Sequence, residues 1–329
     1  MNRQFGTPSK SDRIVAGIID QIREGSLAKG QAIPSINAAS ERYNVARKTV
    51  VRAYQKLADQ GFIESHHRRG FFVVDRQPNA KLKVLLLLHS FEAHFEILYN
   101  EFRKQVEGLC EIEIYFHHYN PKILELIISR NISDYDMYII SSFNHPKVSN
   151  IIGRIPAGKV LIISRNDRLG NKYNTIVQDF FEGTYQSLCS AKEQIAKYRN
   201  VQLSFPEKGG HPETLKNAFL QFCNDFSVPH KIVNSLENME IRKGDAFLVI
   251  DDSDLVKLLK VCKIRGWKPG RDVGVISYNE TPLKEVIRNG ITVISCNFGE
   301  MAAEMAAFIK NRISVQKIIP IKLIKRNSF

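Results

Sequence analysis

No run of about 18 apolar residues interrupts this sequence, and its first segment, MNRQFGTPSKSDR, lacks the apolar stretch of an export signal. Neither a membrane-spanning helix nor secretion is expected, and the chain is assigned to the cytoplasm. Cysteine is scarce and scattered: Cys110, Cys189, Cys223, Cys262 and Cys296 stand at least 34 residues apart, with no C-x-x-C pair. An odd, dispersed set without an export signal suits buried reduced thiols rather than a disulfide framework or a zinc site. Also missing are G-x-S-x-G, a P-loop and H-E-x-x-H, and His117-His118 has no partners at metal-ligand spacing. No catalytic group, metal or cofactor is therefore expected.

Acidic residues are absent from residues 310–329, which hold 6 Lys/Arg. Residues 1–80 hold 13 Lys/Arg against 7 Asp/Glu, so nearly all of the net charge of +13 lies at the two ends. A basic head is the electrostatic footprint of a phosphate-backbone binder. The basic tail reads as the end of a strand carrying solvated lysines. A chain of 329 residues is long enough for two or three hydrophobic cores.

What is present begins with helical periodicity. Ile14, Ile18, Ile19, Ile22 and Leu27 predict an amphipathic helix from Asp12, with Asp12 as its cap and Ser11 nearby, before Gly25 and Gly30 break the chain. A second helix is predicted over about residues 35–43, capped by Ser35 and burying Ile36, Ala39 and Tyr43. A third, over about residues 47–60, turns Val50, Tyr54 and Leu57 inward until Gly61 ends it. The turn Tyr43-Asn44-Val45 between them makes a helix-turn-helix, whose second helix fits the DNA major groove with Arg47, Lys48, Thr49 and Arg52 on its first turns. Two strand-like runs, 62–65 and 70–74, then flank the hairpin tip His66-His67-Arg68-Arg69. Such a tip can reach phosphates or the minor groove, although taken alone it would read as a solvated turn.

The order G-x-x-I-P-S, Y-N-V-A-R-K-T-V-x-R-A-Y-x-x-L, Q-G-F-I and R-G-F-F-V resembles the winged helix of the GntR family of bacterial transcription regulators, over about residues 10–75. The resemblance implies a homodimer whose two heads read half-sites of double-stranded operator DNA. It implies DNA contacts from Arg47, Lys48, Thr49 and Arg52, from Ser35 and Asn37 at the entrance of the preceding helix, and from His67, Arg68 and Gly70 in the wing. Where relatives often carry an acidic-Arg pair after the Pro-Ser, this chain has Ile36-Asn37, and Asn37 cannot make a charged bidentate contact. Arg68 stands where Gly is common and can supply a replacement phosphate contact.

A polar linker around Pro78, residues 76–82, divides this head (1–75) from the body (83–329). In the body, strand-like runs at 84–88, 112–116, 137–140, 160–163, 174–177, 201–205, 246–250, 274–277 and 293–295 alternate with helical patterns at 96–107, 121–129, 183–198, 213–226, 253–265 and 299–313. Alternation of this kind, with continuous apolar strands, predicts an α/β fold of parallel sheets covered on both faces. Ligands bind such sheets in crevices beyond the carboxyl ends of the strands.

Four phrases, G-D-A-F-L-V-I-D-D, R-G-W-K-P-G-R-D-V-G-V-I-S-Y-N-E, I-T-V-I-S-C-N-F-G-E-M-A and I-P-I-K-L-I-K-R-N-S, resemble the C-terminal half of LacI-type effector domains, and V-Q-D-F-F-E-G-T-Y resembles the segment between their halves. The resemblance implies a two-lobed periplasmic-binding-protein-like body closing on a monosaccharide. It implies ligand contacts from Ser90, Phe91, Asp179, Asp251, Asn279 and Phe298. Carboxylates and an amide can bridge sugar hydroxyls, and a Phe offers a flat face to ring C–H groups. Asp251-Asp252 is alternatively a helix cap or a metal pair, with Asp252 the better cap and Asp251 the better ligand. The family's Arg early in the helix at 213–226 is missing, leaving His211 or Lys216, and Asn279 stands where Asp is frequent. His94 and Arg165 are further cleft candidates, and Trp267 reads as loop packing.

Fusions of this kind resemble repressors of carbohydrate-utilisation operons released by their sugar, with L-arabinose and L-fucose the candidate effectors. Two other readings stay open: a DNA-binding dimer whose body has lost its ligand, and a sugar-processing enzyme with a regulatory head.

Overall fold

Local capping decides where the first helix begins. In the computed structural model, which describes residues 9–59, 61–66, 69–74, 81–132, 134–165, 169–206 and 210–329, α1 (Lys10–Arg23) starts before the expected Asp12. Its cap is Ser9, whose Oγ accepts the Asp12 N–H at 3.2 Å, so Asp12 is a first-turn residue and not the cap. The Asp12 carboxylate is taken up by Lys56 Nζ at 2.6 Å.

Next come α2 (Ile36–Arg42) and α3 (Arg47–Asp59). The turn between them passes through Asn44 at φ 49°, a left-handed conformation that Asn tolerates better than most residues. Ser40 Oγ latches the turn by donating to the Val45 carbonyl at 2.6 Å. The hairpin of β1 (Ile63–His66) and β2 (Gly70–Val73) pairs antiparallel, with Gly70 at φ 100°. Tyr54 ties the pieces together: its hydroxyl donates to the Pro34 carbonyl at 2.7 Å, and its ring meets Phe71 of the hairpin edge-on at 5.2 Å. Around it, Ile14, Ile18, Val50, Leu57 and Ile63 are almost wholly buried.

The body runs β3 (Leu82–Leu88), α4 (Ala93–Gln105), β4 (Cys110–Phe116), α5 (Pro121–Asn131), β5 (Met137–Ser141), α6 (Val148–Ile152), β6 (Val160–Ser164), β7 (Asn174–Gln178), α7 (Phe180–Ser190), α8 (Lys192–Ile195), β8 (Asn200–Ser204), α9 (Glu213–Asp225), β9 (His230–Val233), β10 (Asp245–Val249), α10 (Asp252–Ile264), β11 (Gly274–Tyr278), α11 (Pro282–Val286), β12 (Thr292–Cys296), α12 (Phe298–Asn311), β13 (Gln316–Ile319) and β14 (Ile321–Ile324). Among the described residues these strands form two six-stranded sheets, ordered β13-β7-β6-β5-β3-β4 and β14-β12-β11-β10-β8-β9. β4, β3, β5 and β6 are parallel neighbours, as are β9, β8, β10, β11 and β12; β14 closes the second sheet antiparallel to β12.

The α/β alternation forms as the apolar runs require, with β5, β6, β10, β11 and β12 buried at every residue. Beyond the short α6 and α11 and the final strands β13 and β14, which the patterns did not announce, two details differ from expectation. The helical run at 183–198 breaks at Ala191 into α7 and α8, and β9 is an edge strand whose exposed His230 and Lys231 hid it.

By compactness the chain divides into two units. One is drawn from Met1–Ser90, Phe102–Ile176 and Ala303–Lys317, the other from Phe91–Glu101, Val177–Ala302 and Ile318–Phe329. In the first, the basic tail departs from its solvated reading at one point: Arg312 is only 3% exposed, and its guanidinium carbon lies 6.0 Å from the Phe62 ring.

Also in the first unit, His117 sits fully buried just beyond β4, stacked on Phe143 at 4.7 Å. Its Nε2 donates to the Ser141 carbonyl at 2.9 Å and its Nδ1 accepts the Tyr119 N–H at 3.2 Å, which together require the neutral ring. Burial pulls its pKa from 6.5 to about 4. Because the unfolded chain binds the proton first, the stability from the neutral ring is complete above about pH 6.5 and is lost as pH falls towards 4. Urea unfolding should show a loss of about 2 kcal/mol between pH 7 and pH 5 from this group, flattened in His117→Asn. An unchanged pH slope in that variant would remove His117 as its source.

Candidate nucleic-acid interface and ligand pocket

The head presents a basic helix end. Arg47, Lys48 and Arg52 are exposed on α3, Thr49 is half-buried beside them, and the first turns of α2 and α3 carry no acid. That leaves the positive end of the α3 dipole to a phosphate. Ser35 is the cap of α2, its Oγ accepting the Ala38 N–H at 3.2 Å, and Asn37 is exposed on the first turn of the same helix. In the wing Gly70 is exposed, while His67 and Arg68 lie outside the described residues.

The second unit holds a polar cavity of about 280 Å³. Its floor follows from the parallel sheet: Asp251 stands just past β10 and Asn279 just past β11, at the carboxyl ends of adjacent strands. Phe91, Glu92 and His94 form another wall, from the start of α4 and the turn before it. Phe91 is 85% exposed at the mouth of this cavity. Of the residues expected at the ligand, Phe91, Asp251 and Asn279 line this cavity.

The other three are placed differently. Phe298 is buried, stacks on His94 at 5.0 Å between centroids, and faces a separate cavity of about 360 Å³ together with Ile97, Cys296 and Ile324. Asp179 is the N-cap of α7, accepting the Glu182 N–H at 3.0 Å. Ser90 belongs to the first unit, as does Arg165. Trp267 packs against the core of the second unit, with Arg265 5.0 Å over its ring.

The acidic run after β10 divides its tasks. Asp251 occupies the N-cap position of α10 without a side-chain cap bond, and its Oδ1 meets His211 Nε2 at 3.1 Å. Asp252 is not the cap: it is the first residue of α10 and pairs with Lys284 Nζ at 2.7 Å. Lys284, 3% exposed, also donates to the carbonyls of Tyr278 (2.8 Å) and Asn279 (2.9 Å), so its three N–H groups meet three acceptors. Asp254, also buried, accepts from Ser204 Oγ, from Ser235 Oγ at 3.0 Å and from the Leu236 N–H at 2.9 Å, and fixes the loop beside α10. Lys284 and Asp254 escaped the sequence reading because Asp252, Ser204 and Ser235 are distant from them in the chain, and a lone Lys in T-P-L-K carries no signature. Asn279, at φ 60°, sets its amide 3.2 Å from His94 Nδ1, which is also 3.4 Å from Glu92 Oε2. The amide orientation and the His94 tautomer are therefore linked.

Residues 10–73 match the bacterial regulatory proteins of the gntR family, and residues 191–329 match the periplasmic binding protein-like domain. The chain joins a gntR-type head to a periplasmic binding protein-like body. The chain is similar to the HTH-type transcriptional regulator Rv1152 of Mycobacterium tuberculosis, 32% identical over 62 residues, which are 19% of this chain and 51% of that protein. It is also similar to the uncharacterized HTH-type transcriptional regulator YcxD of Bacillus subtilis, 31% identical over 68 residues, 21% of this chain and 15% of that one. The chain thus spans about half the length of the first of these curated relatives and less of the second.

In fold, it is similar to the trehalose repressor of Escherichia coli (TM-score 0.62, 12% identity, 74% of this chain and 100% of that one). A dimeric Lac repressor gives TM-score 0.63 at 13% identity, covering 75% and 98%. A LacI family regulator from Lactobacillus casei with bound sucrose gives 0.62 at 16%, covering 75% and 99%. At these identities the likeness is one of fold. The gntR-type head thus carries the basic α3, and the matched part of the body carries Asp251, Asn279 and Lys284.

Replacing Lys284 by Met should destabilise the second unit by about 2 kcal/mol, between the values of an exposed and a buried ion pair, because Asp252 and two carbonyls lose their donor. Guanidinium unfolding measures this, and a change within 0.5 kcal/mol, the usual scatter of surface substitutions, would count against the cluster as an anchor.

Proposed function

We propose that this protein is a DNA-binding transcription regulator whose operator affinity is set by a small neutral polyhydroxyl ligand, and that it acts as a homodimeric repressor of carbohydrate-utilisation genes, released when the ligand binds. The observation that carries the reading is the pairing of a winged helix with a basic reading end and a body with a polar cavity at the carboxyl ends of β10 and β11. The sucrose bound by the Lactobacillus casei regulator and the names of the trehalose and Lac repressors support a sugar.

Charge narrows the ligand class. Glu92, Asp251 and Asp252 line the cavity, and its one lysine, Lys284, already has its three protons placed on protein acceptors. An anionic sugar would meet carboxylates with no cation to spare among the lining residues, whereas neutral hydroxyls can donate to those same carboxylates. The cavity volume of about 280 Å³ lies at the small end for ligand pockets, which suits a monosaccharide. Release follows if the ligand binds more tightly to the form of the dimer that holds DNA less well.

On the DNA side, Arg47, Lys48, Thr49 and Arg52 supply the reading edge, with further contacts from Ser35, Asn37 and Gly70 and, by their place in the sequence, from His67 and Arg68. Arg47→Ala should cost about 1–3 kcal/mol of operator binding in a fluorescence-anisotropy titration if it reads a base. Unchanged affinity would take Arg47 out of the site. For the ligand, isothermal titration against L-arabinose, L-fucose, other pentoses and hexoses, and the corresponding uronates and sugar phosphates, should show binding confined to neutral members. Asp251→Asn should weaken it about tenfold or more, the worth of a charge-assisted hydrogen bond. Preference for an anionic sugar, or no binding to any member, would defeat the effector assignment.

A further inference from the structure

We propose that Val51 reads the 5-methyl group of a thymine in each operator half-site. The inference rests on the DNA-binding reading above and adds a sequence preference to it. Val51 is 47% exposed on α3, and the other exposed positions between residues 47 and 55 are all polar: Arg47, Lys48, Arg52 and Gln55. At about 100° per residue, Val51 projects between Arg47 and Lys48, one turn further along the helix and away from the buried Val50, Ala53, Tyr54 and Leu57.

A single exposed apolar residue is ordinary on a protein surface. Here the position is what makes it informative. Val51 is not among the residues of the head's buried core, so folding gains little from its side chain. Valine is also a poorer helix former than the Lys, Arg or Gln found around it, because its branched Cβ restricts the rotamer on a helix. A position outside the core, which loses a little in the helix, lies amid three cations on the N-terminal half of the helix proposed to enter the major groove. Those cations are suited to phosphates and base acceptors, and none of them is suited to the apolar group that the major groove presents, the thymine methyl. An uncharged branched side chain at that point complements it.

The test uses the full-length protein and duplexes that it selects from a randomised DNA pool. Deoxyuridine, which lacks only the methyl group, then replaces each thymine of the selected half-site in turn. One position should weaken wild-type binding about fourfold, the effect of withdrawing one buried methyl group. Val51→Ala should bind the thymine and uracil duplexes alike, with an unchanged salt slope, since no phosphate contact is lost. Because Val51 lies outside the core, the variant should melt with the wild type. Uracil tolerated at every position, or a uracil penalty that persists in Val51→Ala, would overturn the inference while leaving DNA binding intact. Failure of the wild-type protein to enrich any sequence would overturn the DNA-binding reading, and the inference with it.

Discussion

A parallel sheet obliges every strand to release the chain at the same edge, and the chemistry of the cavity in the second unit depends on that constraint. β10 and β11 run side by side, so Asp251 and Asn279, 28 residues apart in sequence, emerge as neighbours. A polar loop at such an edge has unpaired carbonyls, and here Lys284 answers two of them while holding Asp252. The lysine is thus spent on the floor of the cavity and is not offered to a ligand. The acceptor-rich character of the cavity follows from this internal pairing as much as from the number of carboxylates.

In the head, one aromatic residue plays the corresponding part. Tyr54 lies on the inward side of α3, yet its hydroxyl reaches back to Pro34 at the entrance of α2 and its ring reaches Phe71 in the hairpin. The outward positions of α3 are in this way oriented by the inward ones. Burial pushes the Tyr54 hydroxyl up to about 12, so it remains a donor throughout the neutral range. The left-handed turn at Asn44 and the Ser40 latch set the angle at which α3 leaves α2.

The two architectures were legible in the sequence because their signals are periodic. The alternation of 3.6-residue and continuous apolar patterns located each strand expected in the body to within two residues at either end, and the spacing of Val50, Tyr54 and Leu57 gave the inward side of α3. Signals that depend on distant partners were not legible. Lys284 and Asp252 lie 32 residues apart, and Asp254 draws its hydrogen bonds from Ser204 and Ser235, so their roles appear only once the sheet assembles them. Edges were illegible for another reason: β9 buries none of its residues fully, and Ala191 breaks a helix with no Pro or Gly to announce it. Capping misled at Asp12 and Asp252, since a carboxylate near a helix start serves equally well as an ion-pair partner.

β13 and β14 each complete a different sheet, although only Pro320 separates them in the chain. Every other strand of both sheets is synthesised before either of them. The core of the head, by contrast, is drawn from residues 14–73 alone. During translation it can therefore fold at once, while both sheets keep an unpaired edge until residues 316–324 leave the ribosome. β13 stands well over a hundred residues after its neighbour β7, a separation that pairs slowly, whereas β14 follows its partner β12 closely; the backbone edge of β7 is the one left open longest. The gntR-type head is then complete in sequence long before either sheet of the body.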